Sequence, residues 1–269
     1  MEYQFGFIGT GNMGGALAAA VCKKTGPDKV LLSDKAMSKA ETLAESLGCT
    51  ASDSLTVAES CQYIFLGVKP QMMAGLFDEI RSILQKRENR FLLVTMAAGL
   101  SMDTISDLGG KKLPVIRIMP NMPVSAGEGM ILYTANSLVT EEELSVFTDV
   151  LSFAGRLDRI DESHLDAASV ISSCSPAFMF MFMKAMAEAG VTLGLDPEKS
   201  RLYAEQAMLG SAALALMTGE DPETLRIQVC SPGGTTIEGV KSLEKNELDR
   251  IVSEAVTASY RRTLELAGK

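Results

Sequence analysis

Short apolar runs alternate with helix-length stretches over roughly the first 160 residues of the chain. Each run is continuous, which is typical of strands that are covered on both faces of a parallel sheet. Parallel neighbours need crossover connections, and these are right-handed, so the spacing predicts a doubly wound α/β sheet. The runs are Tyr3–Ile8, Val30–Ser33, Tyr63–Val68, Phe91–Thr95 and Val115–Met119, and the stretches between them include Asn12–Lys24, Ser38–Leu47, Gln71–Gln85 and Ser101–Leu108.

The strand pattern stops shortly after two further runs. Met130–Tyr133 and Arg156–Ile160 could add edge strands, with a helix from about Glu141 to Phe153 between them. Beyond this point helix signals alone remain. We therefore predict an α/β domain over residues 1–161 and an all-α domain over residues 162–269.

Helix signals are strong in the second half. Asp196-Pro197 and Asp221-Pro222 are typical of a first helical turn, because Asp accepts hydrogen bonds from unpaired amides and Pro lacks only a donor that would be unpaired there. The Phe178–Met183 segment alternates Phe and Met and is apolar all round. In an acidic chain of this size, such a helix predicts a subunit interface rather than a monomer core.

Composition excludes several classes of partner. The chain has 34 Asp and Glu against 25 Lys and Arg, a formal net charge of −9, so we expect neither nucleic acid nor an anionic membrane as a partner. Five cysteines without a CxxC pair argue against a disulfide framework and a metal centre. The start Met1–Gln4 does not resemble a secretion signal, and the longest uncharged stretch of the helical half, Ala167–Met183, has 17 residues. A membrane span needs about 20. We expect a cytoplasmic protein.

A glycine pattern follows the first apolar run. Gly9-Thr10-Gly11-Asn12-Met13-Gly14 comes directly after Ile8 and opens the first helical stretch. Gly9 permits a tight turn, Gly11 lets the backbone approach a pyrophosphate, and Gly14 lets helix and strand pack closely. The helix N-terminus adds free amides and a partial positive charge. At this junction the pattern predicts a Rossmann-type dinucleotide site, the alternative being a glycine-rich structural turn.

Asp34 ends the second apolar run, 20 residues after Gly14. A carboxylate there can accept hydrogen bonds from an unmodified adenosine ribose and would repel a 2′-phosphate, which favours NADH. Lys35, together with Lys39 and Ser33, could instead hold the 2′-phosphate of NADPH. Asp34 could also be no more than a cap or turn residue. The sequence therefore leans to NADH and keeps NADPH open.

Two further loops end apolar runs of the sheet. Gly67-Val68-Lys69-Pro70 and Met96-Ala97-Ala98 should border the ligand crevice, because ligands bind at the carboxyl ends of parallel strands. Pro70 should stop its strand. The small residues of the second loop would let a flat nicotinamide approach the backbone. By itself, Lys69 would be interpreted as an exposed lysine.

A compact loop interrupts the helical half at Ser231-Pro232-Gly233-Gly234-Thr235-Thr236. Two glycines and a proline form the turn, and helix resumes over Ile237–Leu243. Amides and hydroxyls at such a helix start favour an anion such as a carboxylate. A solvent-exposed turn between helices is the alternative on composition.

Five blocks, in order along the whole chain, resemble pyrroline-5-carboxylate reductases. The block that contains Ser-Pro-Gly-Gly-Thr-Thr is the most specific of them. They are Ile8 to Gly14, Gly67 to Pro70, Arg117-Ile118-Met119-Pro120-Asn121, Ser175-Pro176-Ala177-Phe178 and Cys230 to Ile237.

The resemblance implies reduction of 1-pyrroline-5-carboxylate to L-proline with NADPH or NADH, the last step of proline synthesis. It implies an N-terminal Rossmann domain and a helical, substrate-binding domain that dimerises, often into pentamers of dimers. Ile8 to Asn12, Gly67 to Pro70 and Met96 to Ala98 would line the cofactor. Thr236 would donate a hydrogen bond to the substrate ring nitrogen, and the backbone around Ser231, Gly233, Gly234 and Thr235 would hold the carboxylate.

The chain departs from the family at two places. The family usually reads Ser-Gly-Ser before its Ser/Gly-Pro-Ala, whereas this chain has Ser172-Ser173-Cys174-Ser175. Asp34 falls where a small hydroxyl residue touches the 2′-phosphate in NADPH-preferring members. A β-hydroxyacid dehydrogenase-like oxidoreductase, whose catalytic lysine would have to be Lys184, is one alternative. A non-catalytic NAD-binding regulator is another. His164, the single histidine, lies outside every motif and is interpreted as a surface residue.

Overall fold

Eight strands form one sheet in the computed structural model, which describes residues 3–266. The strands are β1 (Tyr3–Ile8), β2 (Val30–Ser33), β3 (Thr50–Ala51), β4 (Cys61–Leu66), β5 (Leu92–Thr95), β6 (Val115–Pro120), β7 (Gly129–Ala135) and β8 (Gly155–Arg159). Their spatial order is β3-β2-β1-β4-β5-β6-β7-β8. The first six run parallel to one another, β7 is antiparallel to β6, and β8 is parallel to β7.

The order of the six parallel strands is that of dinucleotide-binding sheets, with the reversal of strand order at β1. Alternate residues of the central strands belong to two hydrophobic clusters, because successive side chains point to opposite faces. Phe65 lies in one cluster, where its ring stacks on Phe7 at 4.4 Å, while Ile64 and Leu66 lie in the other. Both faces of the sheet are therefore covered, as the continuous apolar runs predict.

Seven α-helices connect these strands or follow them within the first 169 residues. They are α1 (Asn12–Thr25), α2 (Met37–Leu47), α3 (Ser54–Ser60), α4 (Met73–Lys86), α5 (Met102–Gly109), α6 (Glu141–Val150) and α7 (Glu162–Ser169). The sequence does not predict β3 or α3. The α6 helix also ends earlier than expected, since residues Ser152–Ala154 form a short 3₁₀ turn.

The strand that precedes Gly67 ends at Leu66, two residues before the predicted end. Gly67 turns back towards the first glycine turn and donates its amide to Ile8 O at 2.8 Å. Pro70 therefore does not stop the strand. It is instead the first residue of a 3₁₀ turn over Pro70–Met72 that leads into α4.

The described chain divides into two compact units, one up to Cys174 together with the chain from Tyr260, and one over Ser175–Ser259. A π-helical turn, Val170–Cys174, closes the first segment. The helices that follow are α8 (Ser175–Thr192), α9 (Pro197–Thr218), α10 (Pro222–Val229), α11 (Thr235–Lys245) and α12 (Leu248–Leu266). The Asp196 and Asp221 carboxylates cap α9 and α10 as predicted. The domain boundary between residues 161 and 162 stays a prediction.

The α8 helix presents large apolar side chains at its surface. Phe180 and Met181 are 57% and 71% exposed in the single chain. The helical stretch Glu162–Thr192 is, by length and composition alone, long and apolar enough to cross a membrane. It also carries charged residues, among them a Lys184–Glu188 ion pair at 2.7 Å. Large apolar side chains that are exposed together on one helix indicate a surface that binds a partner.

Candidate cofactor and substrate sites

The glycine turn after β1 is packed too tightly for side chains at two of its positions. Gly9 has φ of +102°, and a Cβ on it would lie 2.7 Å from Gly67 O. A Cβ on Gly14 would collide with the carbonyl oxygen of Gly9. The roles that the sequence predicts for these two glycines, a tight turn and close helix–strand packing, follow from this geometry.

Gly11 differs from Gly9 and Gly14, the other two glycines of the motif. A Cβ built on it would meet no atom of the described residues within 4 Å. Gly11 is the N-cap of α1 and has no side chain to cap the helix. The amides of the first turn therefore have no side-chain acceptor at this position. A recess of about 720 Å³ borders Thr10, Gly11 and Asn12 on this side. The turn therefore fits an approaching pyrophosphate.

Asp34, at the carboxyl end of β2, is bound to the glycine turn. The Thr10 amide and hydroxyl both donate to Asp34 Oδ2, at 2.8 and 3.1 Å, and the Ala36 amide donates to Oδ1 at 3.0 Å. Partial burial opposes ionisation of this carboxyl, but these hydrogen bonds and the charge of Lys39 outweigh it and lower its pKa. Asp34 is an ionised acceptor with lone pairs left on Oδ1.

A second recess, of about 520 Å³, opens beside Asp34 between the ends of β2 and β4. Ile8, Gly9, Lys35 and Val68 are among the residues that line it. Four polar residues that the sequence analysis missed also line it, namely Asp53, Ser54, Gln71 and Glu79. Asp53 follows β3, and because the sequence does not predict this strand, it does not place Asp53 at the recess. Asp53 also caps α3 by accepting from the Thr56 amide at 2.7 Å.

The remaining candidate cofactor residues lie at the same edge of the sheet but not all in one recess. Met96, Ala97 and Ala98 follow β5, where Ala97 is buried and Ala98 exposed. Lys69 is exposed and does not line the recess beside Asp34. Met13 is partly buried and packs against the hydrophobic core.

The Ser231–Thr236 loop lies in the second unit and runs into the first turn of α11. Gly233 has φ of +70°, and the Gly234 amide donates to Ser231 O at 3.0 Å, which closes the turn. The helix begins at Thr235, and its N-cap Gly234 offers no side chain. Thr235 and Thr236 are exposed. The first-turn amides of α11 therefore have no side-chain acceptor at the N-cap, a geometry that suits an anion, and anion binding here stays a prediction.

Comparison with known proteins decides the family. Residues 162–266 match the family model described as pyrroline-5-carboxylate reductase dimerisation, and residues 4–99 match the one described as NADP oxidoreductase coenzyme F420-dependent. The curated pyrroline-5-carboxylate reductase of Escherichia coli (strain K12) is 36% identical over 270 residues, 99% of each chain. The chain belongs to the pyrroline-5-carboxylate reductase family.

Solved structures of the family agree with the fold described above. The pyrroline-5-carboxylate reductase of Coxiella burnetii superposes with a TM-score of 0.89 at 28% identity, over 99% of both chains. The Plasmodium falciparum pyrroline carboxylate reductase with NADP bound gives 0.87 at 27% identity, also over 99% of both. The predicted fold class, a Rossmann-type sheet followed by a helical dimerisation domain, is confirmed.

Family membership also accounts for the exposed apolar helix. The dimerisation model spans residues 162–266 and so includes α8, whose Phe and Met side chains the sequence assigns to a subunit interface. The dehydrogenase alternative finds no support at Lys184, whose ammonium is exposed and paired with Glu188. His164 is exposed on α7, as predicted.

Proposed function

We propose that the protein is an NAD(P)H-dependent reductase that converts 1-pyrroline-5-carboxylate to L-proline, the last step of proline biosynthesis. One observation carries the proposal: a full-length relative of this activity is 36% identical, and the alignment spans both the glycine turn and the Ser231–Thr236 loop. A β-hydroxyacid dehydrogenase-like oxidoreductase would need Lys184 as its catalytic residue, and that ammonium is exposed and paired with Glu188 at 2.7 Å.

The residues of the first unit bind the dinucleotide. The first-turn amides of α1, next to Gly11, hold the pyrophosphate, where the close packing of Gly9 and Gly14 leaves backbone rather than side chains at the surface. Asp34 accepts from the adenosine ribose. The Gly67–Pro70 and Met96–Ala98 loops border the nicotinamide side. When bound, the reduced dinucleotide supplies the hydride that adds to C5 of the imine.

The residues of the second unit bind the imine. The amides around Gly233, Gly234 and Thr235 hold the substrate carboxylate at the start of α11, where the helix dipole favours a negative charge. Thr236 donates its hydroxyl hydrogen bond to the ring nitrogen. This draws electrons from the C=N bond as C5 accepts hydride, and the nitrogen then takes up a proton from solvent water. No histidine is required, since the nitrogen is itself the basic group.

The test of this activity is oxidation of the reduced dinucleotide on adding 1-pyrroline-5-carboxylate. We expect turnover with product L-proline, identified by amino-acid analysis. Turnover with a β-hydroxy acid or its keto acid instead, or dinucleotide binding without any turnover, would contradict the proposal.

We further propose that NADH is preferred over NADPH. Asp34 is ionised where a 2′-phosphate would lie, and the recess beside it adds the carboxyl groups of Asp53 and Glu79 against the single ammonium of Lys35 among the described wall residues. Lys39 is already engaged electrostatically with Asp34. A dianionic 2′-phosphate therefore meets net negative charge, whereas ribose hydroxyls meet acceptors.

Replacing Asp34 by serine should raise the ratio of kcat/KM with NADPH to kcat/KM with NADH by about tenfold or more. Repulsion between unit charges about 4 Å apart amounts to roughly 1–4 kcal/mol near a protein surface, and each 1.4 kcal/mol is a factor of about ten. Asp28→Ser is the matched control, because it removes the same charge from an exposed 3₁₀ turn outside the recess. An unchanged ratio in Asp34→Ser would show that Asp34 does not discriminate between the dinucleotides.

We also propose that the protein is cytoplasmic and that its dimers assemble further into decamers. Support for a dimer comes from the dimerisation model over residues 162–266 and from the exposed apolar side chains of α8. Sedimentation equilibrium should give ten times the 28.7 kDa of the chain. A mass of twice that of one chain would support the dimer and contradict the decamer. A stable monomer at micromolar concentration would contradict both.

A further inference from the structure

A buried ion cluster connects β6 to α7. The guanidinium of Arg117 on β6 is only 4% exposed, and its Nη2 donates to Asp166 Oδ1 at 2.7 Å. Its Nη1 donates to Glu162 Oε1 at 3.4 Å. Arg117 belongs to the Arg-Ile-Met-Pro-Asn block, for which the proposed reaction provides no role.

Stability does not explain this cluster well. Arg117 Nε is buried without a hydrogen-bond partner among the described residues, and such a group is costly to bury. Buried ion pairs are in general no more stabilising than apolar side chains of similar volume. The cost is consistent with a role in fixing the position of neighbouring groups.

The cluster reaches the loop that follows β5. Glu162 Oε1 also accepts from the amide of Met102, the first residue of α5, at 2.9 Å. At the other end of the loop, Thr95 Oγ1 accepts from the Ala97 amide at 3.3 Å. Thr95 pairs with Arg117 across the parallel strands, so both side chains lie on the same face of the sheet. The loop over residues 96–101 is therefore held at both ends by this face.

The other end of the same block anchors the chain beyond α7. Asn121 Nδ2 donates to Ser172 O at 2.8 Å, and its Oδ1 accepts from the Met130 amide at 2.9 Å. Ser173 Oγ donates to Pro120 O at 3.3 Å. Arg117 and Asn121 together thus hold α7 and the π-helical turn on β6, which makes Glu162 a rigid point of attachment for the loop.

We propose that Arg117 and Glu162 are positioning residues for hydride transfer. Arg117 orients Glu162, and Glu162 fixes the 96–101 loop through the Met102 amide. This inference rests on the proposed function, in which Met96–Ala98 border the nicotinamide. A displaced loop changes the distance between hydride donor and acceptor carbon, to which rates are very sensitive. It leaves the adenosine side of the site, at Asp34 and Gly11, unchanged.

The experiment compares Glu162→Ala and Glu162→Gln with Glu143→Ala. Glu143 is a matched control, because it too accepts from an arginine, Arg90 at 2.7 Å, and from a backbone amide at a helix start, Thr140 at 2.9 Å. It lies on α6, outside the candidate sites. Removing Arg117 itself would take the guanidinium away from the buried Asp166 as well as from Glu162, so the variants are made at Glu162, whose side chain is 31% exposed.

We expect kcat to fall about 10- to 100-fold in Glu162→Ala, with a larger primary deuterium isotope effect from NADH deuterated at C4. The Kd of ADP-ribose, which lacks the nicotinamide, should not change. Amide hydrogen exchange should become faster over residues 96–102. Glu162→Gln should recover most of the rate, since its amide oxygen can still accept from Met102. Glu143→Ala should lose stability but retain kcat and the isotope effect.

Three kinetic results would each overturn the inference: an unchanged kcat in Glu162→Ala, an equal loss in Glu143→Ala, or no recovery in Glu162→Gln. Failure of the proposed function has a different signature, because the wild-type protein itself would then not oxidise NADH with the imine. Hydrogen exchange over residues 96–102 needs no turnover. Equal exchange in wild-type and Glu162→Ala protein would reject the attachment on its own.

Discussion

Replacing Thr236 by alanine should lower kcat/KM for imine reduction roughly 10- to 150-fold. The variant removes one hydrogen bond to a nitrogen that gains charge during the reaction, and such a bond contributes about 1.5–3 kcal/mol. Thr236 is exposed at the second position of α11, so its loss should leave the fold intact. Steady-state kinetics with the imine as the varied substrate measure the effect.

Thr235→Ala and Thr236→Ser are the controls for this experiment. Thr235 occupies the preceding position of the same helix and is equally exposed, but its proposed contribution is a backbone amide, which alanine retains. Thr236→Ser keeps the hydroxyl and should keep most of the rate. A Thr236→Ala variant as active as the wild type would exclude this side chain from the reaction.

Replacing Gly14 by alanine should destabilise the first unit and abolish tight dinucleotide binding. The added Cβ collides with the carbonyl oxygen of Gly9, which is backbone and cannot rotate away. Overpacking of this kind costs about 1–3 kcal/mol, more than the gain of up to about 1 kcal/mol in helix propensity. We expect a Tm several degrees lower, measured by calorimetry without ligand.

Gly11→Ala separates binding from stability at the same turn. Its Cβ meets no described atom within 4 Å, and its φ of −64° suits alanine, so Tm should not change. The methyl group instead occupies the approach to the α1 amides, and the Kd for NADH should rise about 10- to 100-fold, equivalent to one charge-assisted hydrogen bond. Equal Tm values for Gly11→Ala and Gly14→Ala would refute the packing argument, and an unchanged Kd in Gly11→Ala would refute the pyrophosphate site.

The parts of the fold with a strong local signal could be predicted from the sequence. The apolar runs of β1 and β2 are bounded by turns, and both strands have the predicted ends. The two-residue β3 carries no periodic pattern, and without it α3 and the position of Asp53 could not be placed. The early end of β4 depends on the close approach of Gly67 to Gly9, which is a contact between distant segments.

The candidate site shows the same division. The glycine turn and the Ser231–Thr236 loop are local motifs, and the structure places each at a helix start, as expected. The hydrogen bonds from Thr10 to Asp34 were not predicted, because they join residues 24 positions apart. The Arg117–Asp166 pair spans 49 positions. Neither interaction has a signal in spacing or composition, since both arise only when segments distant in the sequence pack together in the fold.

The uncovered apolar side chains of α8 have a consequence for the protein in the cell. A newly made subunit exposes Phe180 and Met181 until it meets another copy. Such surfaces attract chaperones and proteases, which act on the population that has not yet assembled. The amount of active protein therefore depends on how quickly subunits encounter each other as well as on their rate of synthesis. At low copy number these encounters are slow, and the fraction of new subunits that is degraded before assembly would be largest.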